Sequence, residues 1–148
     1  MLNIVIFGKP GAGKGTQAEF LKSKYNLTHI STGDLFRHHI VNKTSLGLKV
    51  TSILENGDLV PDKLTIDILE NEVKKHKKTN GFIFDGFPRT INQARKLDEF
   101  LKLLSMKISF TIALEAEDEI LLLRLLKRGE TSGRSDDTDK ERILNRFK

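Results

Sequence analysis

Residues Phe7–Phe20 read FGKPGAGKGTQAEF, and their types and spacing suit anion binding. Gly8 to Lys14 fits the phosphate-cradling pattern G-x-x-x-x-G-K, but residue 15 is glycine and the hydroxyl arrives one place later, at Thr16. The run follows the apolar stretch LNIVIF at once and opens a helical pattern, which is the context that a phosphate loop requires. Gly8, Gly11, Gly13 and Gly15 let backbone N–H groups converge on an anion without Cβ interference. The helix N-terminus adds its positive dipole end, and Lys14 adds a point charge for the outer phosphates. A tight strand–helix turn without a ligand is the plainer reading, and it leaves Lys14 and the repeated glycines unexplained.

Those residues must be positioned by a sheet. The chain has 148 residues, 38% hydrophobic and 30% charged, as expected of one ordinary domain with a real core. No apolar run approaches the roughly 18 residues of a membrane span, and MLNIVIFG has no basic flank of a secretion signal. The chain contains no cysteine, which excludes disulfides and cysteine-ligated zinc, and the expected compartment is the cytoplasm. Net charge is +5, which favours anionic partners in general. The densest basic run, Lys74–Lys78, reads as a solvated helix end whose lysines complement the helix dipole, since no aromatics interleave with it for stacking on single strands.

Four short strands, LNIVIF, LTHI, GFIFD and KISFTIAL, alternate with helical patterns. Alternation of this kind implies a parallel sheet with right-handed crossovers. Leu46, Val50, Ile53 and Leu54 share a helix face stopped at Asn56-Gly57; Val60-Pro61-Asp62 opens the next helix, with Leu64, Ile68, Leu69 and Val73 on its face. Ile91, Ala94, Leu97, Leu101 and Leu104 mark another. EDEILLLRLLKR is apolar over most of its circumference and is expected to be well buried. GETSGRSDD, residues 129–137, reads as a polar loop, and a last helix begins near Asp139. About 50 residues with several helices separate the second and third strands, too many for a simple crossover, so a small helical insertion is expected there.

The form G-x-P-G-x-G-K-G-T is that of nucleoside monophosphate kinases, and GKPGAGKGTQ resembles the adenylate kinase version closely. HISTGDLFR, ENGDLVPD, DGFPRTINQ and RLLKRGETSGRSDD resemble further segments of the short-lid adenylate kinases, so the likeness runs along essentially the whole chain. It implies a P-loop NTPase-type α/β three-layer fold, a parallel sheet in the order 2-3-1-4, a monophosphate-binding insertion over residues 31–60 and a short lid over 129–137. It also implies that a fifth strand and a closing helix are absent, that KISFTIAL is then an edge strand, and that the chain is an incomplete enzyme, monomeric when complete.

The activity implied is MgATP + AMP ⇌ 2 ADP, part of nucleotide homeostasis. By the resemblance, ATP lies on Gly11, Ala12, Gly13, Lys14, Gly15 and Thr16 together with Arg124 and Arg128. AMP lies on Thr32, Arg37, Gly57, Asp58, Val60, Gly86, Arg89 and Gln93, with Thr32 near the base, Arg37 and Arg89 on the phosphate and Gln93 on the adenine edge. Lys14, Arg89, Arg124, Arg128, Arg134 and Arg146 stabilise the transferring group. Asp85, at the carboxyl end of a parallel strand, holds Mg²⁺ through water, with no direct protein ligand and no zinc. Phe87-Pro88 resembles a bond that is cis in the family. Several arginines and no general base suit phosphoryl transfer, which asks mainly for positioning and charge stabilisation. His29, His38, His39 and His76 show no ligand spacing and read as structural.

Three other readings compete. A UMP/CMP kinase shares the fold; Thr32 and DGFPRT favour AMP, because pyrimidine kinases tend to carry alanine and asparagine at the matching places. A nucleotide-binding module without turnover, and a nucleic-acid-binding P-loop protein supported only by charge, are the others. The expected partners are ATP and AMP or ADP, with no nucleic acid and no membrane.

Overall fold

The computed structural model describes residues 1–148, which fall into two compact units. The first comprises residues 1–7, 14–35 and 61–113 and holds the sheet. β1 (Ile4–Gly8), β2 (Thr28–Ser31), β3 (Phe82–Asp85) and β4 (Phe110–Leu114) lie in the order β2-β3-β1-β4. β1 and β2 both pair parallel with β3, so the strand order and the parallel pairing expected of the fold class are present. β3 is buried along its whole length, as its uninterrupted apolar run requires. Its phenylalanines, Phe82 and Phe84, stack at 5.8 Å and join Val5, Ile30, Leu69, Val73, Phe87, Leu97, Phe100 and Leu101 in the core.

Helices α1 (Lys14–Tyr25), α4 (Asp62–Lys75) and α5 (Ile91–Leu103) belong to this unit. The stripe read from the sequence of α4 is observed: Ile68, Leu69 and Val73 are buried. In α5 the burial falls on Leu97, Phe100 and Leu101, whereas Ile91, expected on the same face, is 74% exposed at the helix start. Lys74 and Lys75 close α4 and pair with Glu70 and Glu72, which fits the reading of the basic run as a helix end.

The second unit comprises residues 8–13, 36–60 and 114–148. It contains most of α2 (Thr32–Val41), and α3 (Ser45–Glu55), α6 (Asp118–Ser132) and α7 (Lys140–Arg146). α3 is capped by Thr44, whose hydroxyl accepts from the Gly47 N–H. Two expectations fail here. α6 buries only Leu121 and Leu125, leaving Ile120 and Leu123 at 46% and 69% exposure, so its broad apolar circumference is matched by packing along one stripe alone. The polar segment 129–137 is not all loop: α6 runs on to Ser132, stops at Gly133 in the left-handed conformation, and Ser135–Asp137 form a short 3-10 turn. Gly129 lies inside the helix and faces the Asp137 carbonyl so closely that a Cβ there would collide with it; this glycine serves close packing rather than a loop. Asp139 caps α7 by accepting from the N–H groups of Glu141 and Arg142. β4 lies at the sheet edge, with Phe110 63% exposed. No helix is long and apolar enough to cross a membrane.

One buried amide ties the strands of the first unit. Asn3 is fully buried; its Oδ1 accepts from the Phe82 N–H at 3.1 Å and its Nδ2 donates to the Lys107 carbonyl at 2.9 Å. Asn3→Ala strands both backbone groups and is expected to cost about 2–3 kcal/mol in urea unfolding. A loss below about 0.5 kcal/mol contradicts this role for the amide.

Candidate active site

Strand register sets the first unit's share of the predicted residues. Ile6 and Ser31 both stand opposite Asp85, so the carboxyl ends of β1, β2 and β3 are level. The residues immediately beyond them are those singled out from the sequence. Asp85 is buried, and its Oδ2 lies 3.1 Å from His29 Nε2, while His29 Nδ1 lies 3.5 Å from Glu19. Burial of the imidazole opposes its charge, but the hydrogen bonds and charges of Asp85 and Glu19 outweigh it, and His29 is raised above its ordinary value. His29 is thus more than the structural residue that its spacing suggests, because it touches Asp85. Its β2 position opposite Ile83, two residues before Asp85, is the signal that could have found it.

Thr32, Gly86, Arg89 and Gln93 are brought together. The Gly86 carbonyl accepts from Thr32 Oγ1 at 3.0 Å and from Arg89 Nε at 2.6 Å. Gly86 has φ 77°, and an added Cβ would sit 2.9 Å from Arg89 Nη2 and 3.2 Å from Thr32 Oγ1, so both backbone and space demand glycine. The Gln93 Oε1 accepts from the Arg89 backbone N–H at 2.7 Å, and its Nε2 donates to Asp62 at 2.9 Å. Asp62 also accepts from Thr90 and Asn92. The Asn92 hydrogen bond, with those of Thr90 and Gln93, holds the Asp62 carboxyl below its usual range against the opposing effect of desolvation. The Ser31 hydroxyl accepts from the Asp34 N–H, so the helix-cap reading of that segment holds as well. The Phe87-Pro88 bond is cis. Lys14 and Thr16 open α1, with Gly15 between them.

The second unit holds the glycine-rich loop, and Gly11 and Gly13 have φ 84° and 99°, conformations that an L side chain rarely adopts. Gly11 also lies against α6: an added Cβ would meet Leu125 Cγ at 3.1 Å and the Leu121 carbonyl at 3.2 Å. From α6, Arg124 Nη1 reaches the Gly11 carbonyl at 3.3 Å, so one predicted arginine meets the loop directly. Ala12 closes the turn by donating its N–H to the Lys9 carbonyl, and Lys9 pairs with Asp118 at 2.7 Å.

Arg128 and Arg146 converge on one carboxylate. Arg128 binds Asp137 through Nε at 2.6 Å and Nη2 at 3.0 Å, a two-pronged contact, and Arg146 Nη1 reaches Asp137 at 2.7 Å and Asp136 at 3.3 Å. Asp137 has no exposed surface. Burial alone would raise its carboxyl; the hydrogen bonds and charges of the two guanidinium groups prevail and hold it below its ordinary value. Gly57, at φ 79°, packs against α7, where an added Cβ would lie 2.7 Å from Arg146 Cγ. Asn145 donates to Asp58 at 2.9 Å and to the Asn56 carbonyl at 3.0 Å. Gly57, Asp58 and Arg146 are therefore neighbours, a grouping that spacing did not reveal. Arg37 lies half-buried on α2, Val60 is buried, and Arg134 precedes the 3-10 turn.

Asp137 generates a pH prediction. Its folded carboxyl titrates below the ordinary 3.8, so its contribution is complete above that value and is lost as the pH falls through the lower folded one. Asp137→Asn is expected to cost about 2–3 kcal/mol at neutral pH. The gap between parent and variant in urea unfolding should close below pH 3.8, and a gap that persists unchanged into acid contradicts the assignment.

Comparison with known proteins agrees with this arrangement. The family model described as adenylate kinase matches residues 6–148. The adenylate kinase of Flavobacterium psychrophilum is 62% identical over 147 residues, covering 99% of this chain and 77% of that protein. The adenylate kinase of Flavobacterium johnsoniae is 59% identical over the same shares. That of Bacteroides fragilis is 50% identical over 139 residues, 94% of this chain and 74% of its own length. A glycine-rich loop between β1 and α1, a level row of strand ends bearing Thr32, Asp85 and Gly86, and identity at this level over nearly its full length lead to one statement: the chain belongs to the adenylate kinase family.

Proposed function

We propose that the chain transfers a phosphoryl group reversibly from MgATP to AMP, giving two ADP, in the cytoplasm where both nucleotides occur. The observation that carries this reading is the pair of anion-directed groups on level strand ends. β1 runs into the glycine-rich loop and Lys14, and β3 runs into Asp85, Gly86 and Arg89. A donor phosphate chain on the loop and an acceptor phosphate on Arg89 and Arg37 give phosphoryl transfer its two ends.

On the donor side, backbone N–H groups of Gly11 to Thr16 and the start of α1 hold the phosphates, and Lys14 offsets their charge. Arg124, Arg128, Arg134 and Arg146 stabilise charge on the transferring group. Segment 129–137 acts as the short lid that excludes water, and residues 31–60 as the monophosphate-binding insertion. On the acceptor side, Thr32 and Gln93 face the base, with Gly57, Asp58 and Val60 around it. A Gln carboxamide, with one donor and one acceptor side by side, matches the N6–H and ring nitrogen of adenine.

Asp85 fits the Mg²⁺ that accompanies ATP. It is one carboxylate at a strand end with no cluster of three or more potential ligands around it. Mg²⁺ usually keeps several waters and takes phosphate oxygens, so a single carboxylate through water suffices. When bound, the ion neutralises phosphate charge. Asp85, oriented by His29, holds the metal's water in place.

Lys14→Ala tests the donor side. The residue opens a helix rather than filling the core, so the melting temperature should stay near the parent's while turnover falls by about 3–4 kcal/mol, two to three orders of magnitude. A near-normal rate contradicts the loop's role. Thr32→Ala tests the acceptor side. It removes the hydrogen bond to the Gly86 carbonyl and should weaken AMP by about 1–2 kcal/mol, with looser discrimination against CMP and UMP. An unchanged profile across the three monophosphates removes Thr32 from specificity.

A further inference from the structure

Gln93 is 1% exposed, and its carboxamide is engaged at both ends by groups that cannot exchange roles. The Arg89 backbone N–H can only donate, and it meets Oε1 at 2.7 Å. The Asp62 carboxylate can only accept, and it meets Nε2 at 2.9 Å. A flip of the amide would set N–H against N–H and oxygen against carboxylate. The carboxamide therefore has one orientation, with one N–H and one lone pair still to offer.

Asp62 is itself held. Thr90 Oγ1 donates to both its oxygens at 3.1 and 3.0 Å, and Asn92 Nδ2 donates to Oδ2 at 3.0 Å. Thr90 also caps α5 by accepting from the Gln93 backbone N–H at 3.1 Å, so the same hydroxyl fixes both the glutamine's backbone and its side-chain partner. Asp62 is the first residue of α4, where the helix dipole favours a negative charge.

We propose that Asp62 is a positioning residue that locks the Gln93 carboxamide in one orientation and thereby makes the acceptor site select 6-amino over 6-oxo purine monophosphates. The inference rests on the reading of Gln93 as facing the acceptor base. An adenine edge offers an N–H at position 6 and an acceptor at N1; hypoxanthine and guanine offer an oxygen at position 6 and an N–H at N1. In a base pose fixed by ribose and phosphate, the two patterns require opposite orientations of a facing carboxamide. A freely turning glutamine serves both, whereas one pinned between a carboxylate and a backbone N–H serves one. The selection against the 6-oxo base thus comes from Asp62, which need not touch the nucleotide.

The test compares kcat/KM for AMP and for inosine monophosphate (IMP), with MgATP as donor, in the parent, Asp62→Asn and Gln93→Ala. The Asp62→Asn side chain is isosteric but can itself turn, which removes the acceptor-only constraint. The expected result is a fall of at least tenfold in the AMP:IMP ratio for Asp62→Asn, expressed mainly as a lower KM for IMP, with the KM for ATP unchanged. A ratio that stays at the parent's value while both substrates weaken together overturns the proposal and leaves Asp62 a structural residue. Gln93→Ala separates this from failure of the underlying reading: an unchanged ratio there shows that Gln93 does not face the base, whereas a collapsed ratio beside an unchanged one in Asp62→Asn overturns the lock alone. A measurement on the unmodified protein does not depend on the variants folding. The side-chain NH₂ protons of Gln93 in ¹H–¹⁵N spectra should exchange with solvent at least tenfold more slowly than those of the exposed Gln17. Exchange as fast as that of Gln17 overturns the proposal.

Discussion

The parallel pairing of β1 and β2 with β3 is the constraint on which the rest of the site depends. Because Ile6, Ser31 and Asp85 stand level, the chain leaves all three strands at the same edge of the sheet. Thr32 then reaches the Gly86 carbonyl, one residue past that line, and Arg89 returns to the same oxygen. Side-chain direction alternates along a strand, so a one-residue slip of β3 would turn Asp85 to the opposite face and carry Gly86 away from Thr32. The buried core of β3 opposes such a slip: Phe82 and Phe84 would exchange faces with Ile83 and Asp85.

Charge is arranged around this frame by carboxylates that fix the groups expected to meet nucleotides. Asp62 holds the Gln93 amide, and Asp137 holds the Arg128 and Arg146 guanidinium groups. Phosphoryl transfer asks little covalent work of a protein, so the placement of fixed charges and dipoles is where most of the rate is found. A partly exposed arginine left to itself would sample many rotamers; a two-pronged contact with a buried carboxylate removes most of that freedom beforehand.

Much of this was legible in the sequence. The glycine-rich loop, the four strands and their order, the start of the last helix near Asp139, and the grouping of Thr32, Gly86, Arg89 and Gln93 all follow from short-range patterns or from resemblance carried by several motifs. What was not legible depends on contacts distant along the chain. Asp62 reads as a helix opener, and its bonds to Thr90, Asn92 and Gln93 appear only once α4 and α5 are packed together. His29 meets Asp85 only through the β2–β3 register. α6 misleads because an apolar circumference reports the capacity for burial, not the partners that are present, and only Leu121 and Leu125 find them. The segment 129–137 misleads because Gly133, not Gly129, stops the helix.

The central claim is that this arrangement reads an adenylate and passes it a phosphoryl group. The most direct measurement follows ³¹P resonances of the unmodified protein with MgATP and, in parallel, AMP, CMP, UMP and GMP. The account predicts that ADP accumulates with AMP, two ADP for each ATP consumed, at a rate at least about tenfold above that with any other monophosphate, the discrimination expected of one well-placed polar pair. Equal rates across the four monophosphates, or conversion of ATP without phosphorylation of AMP, would contradict it.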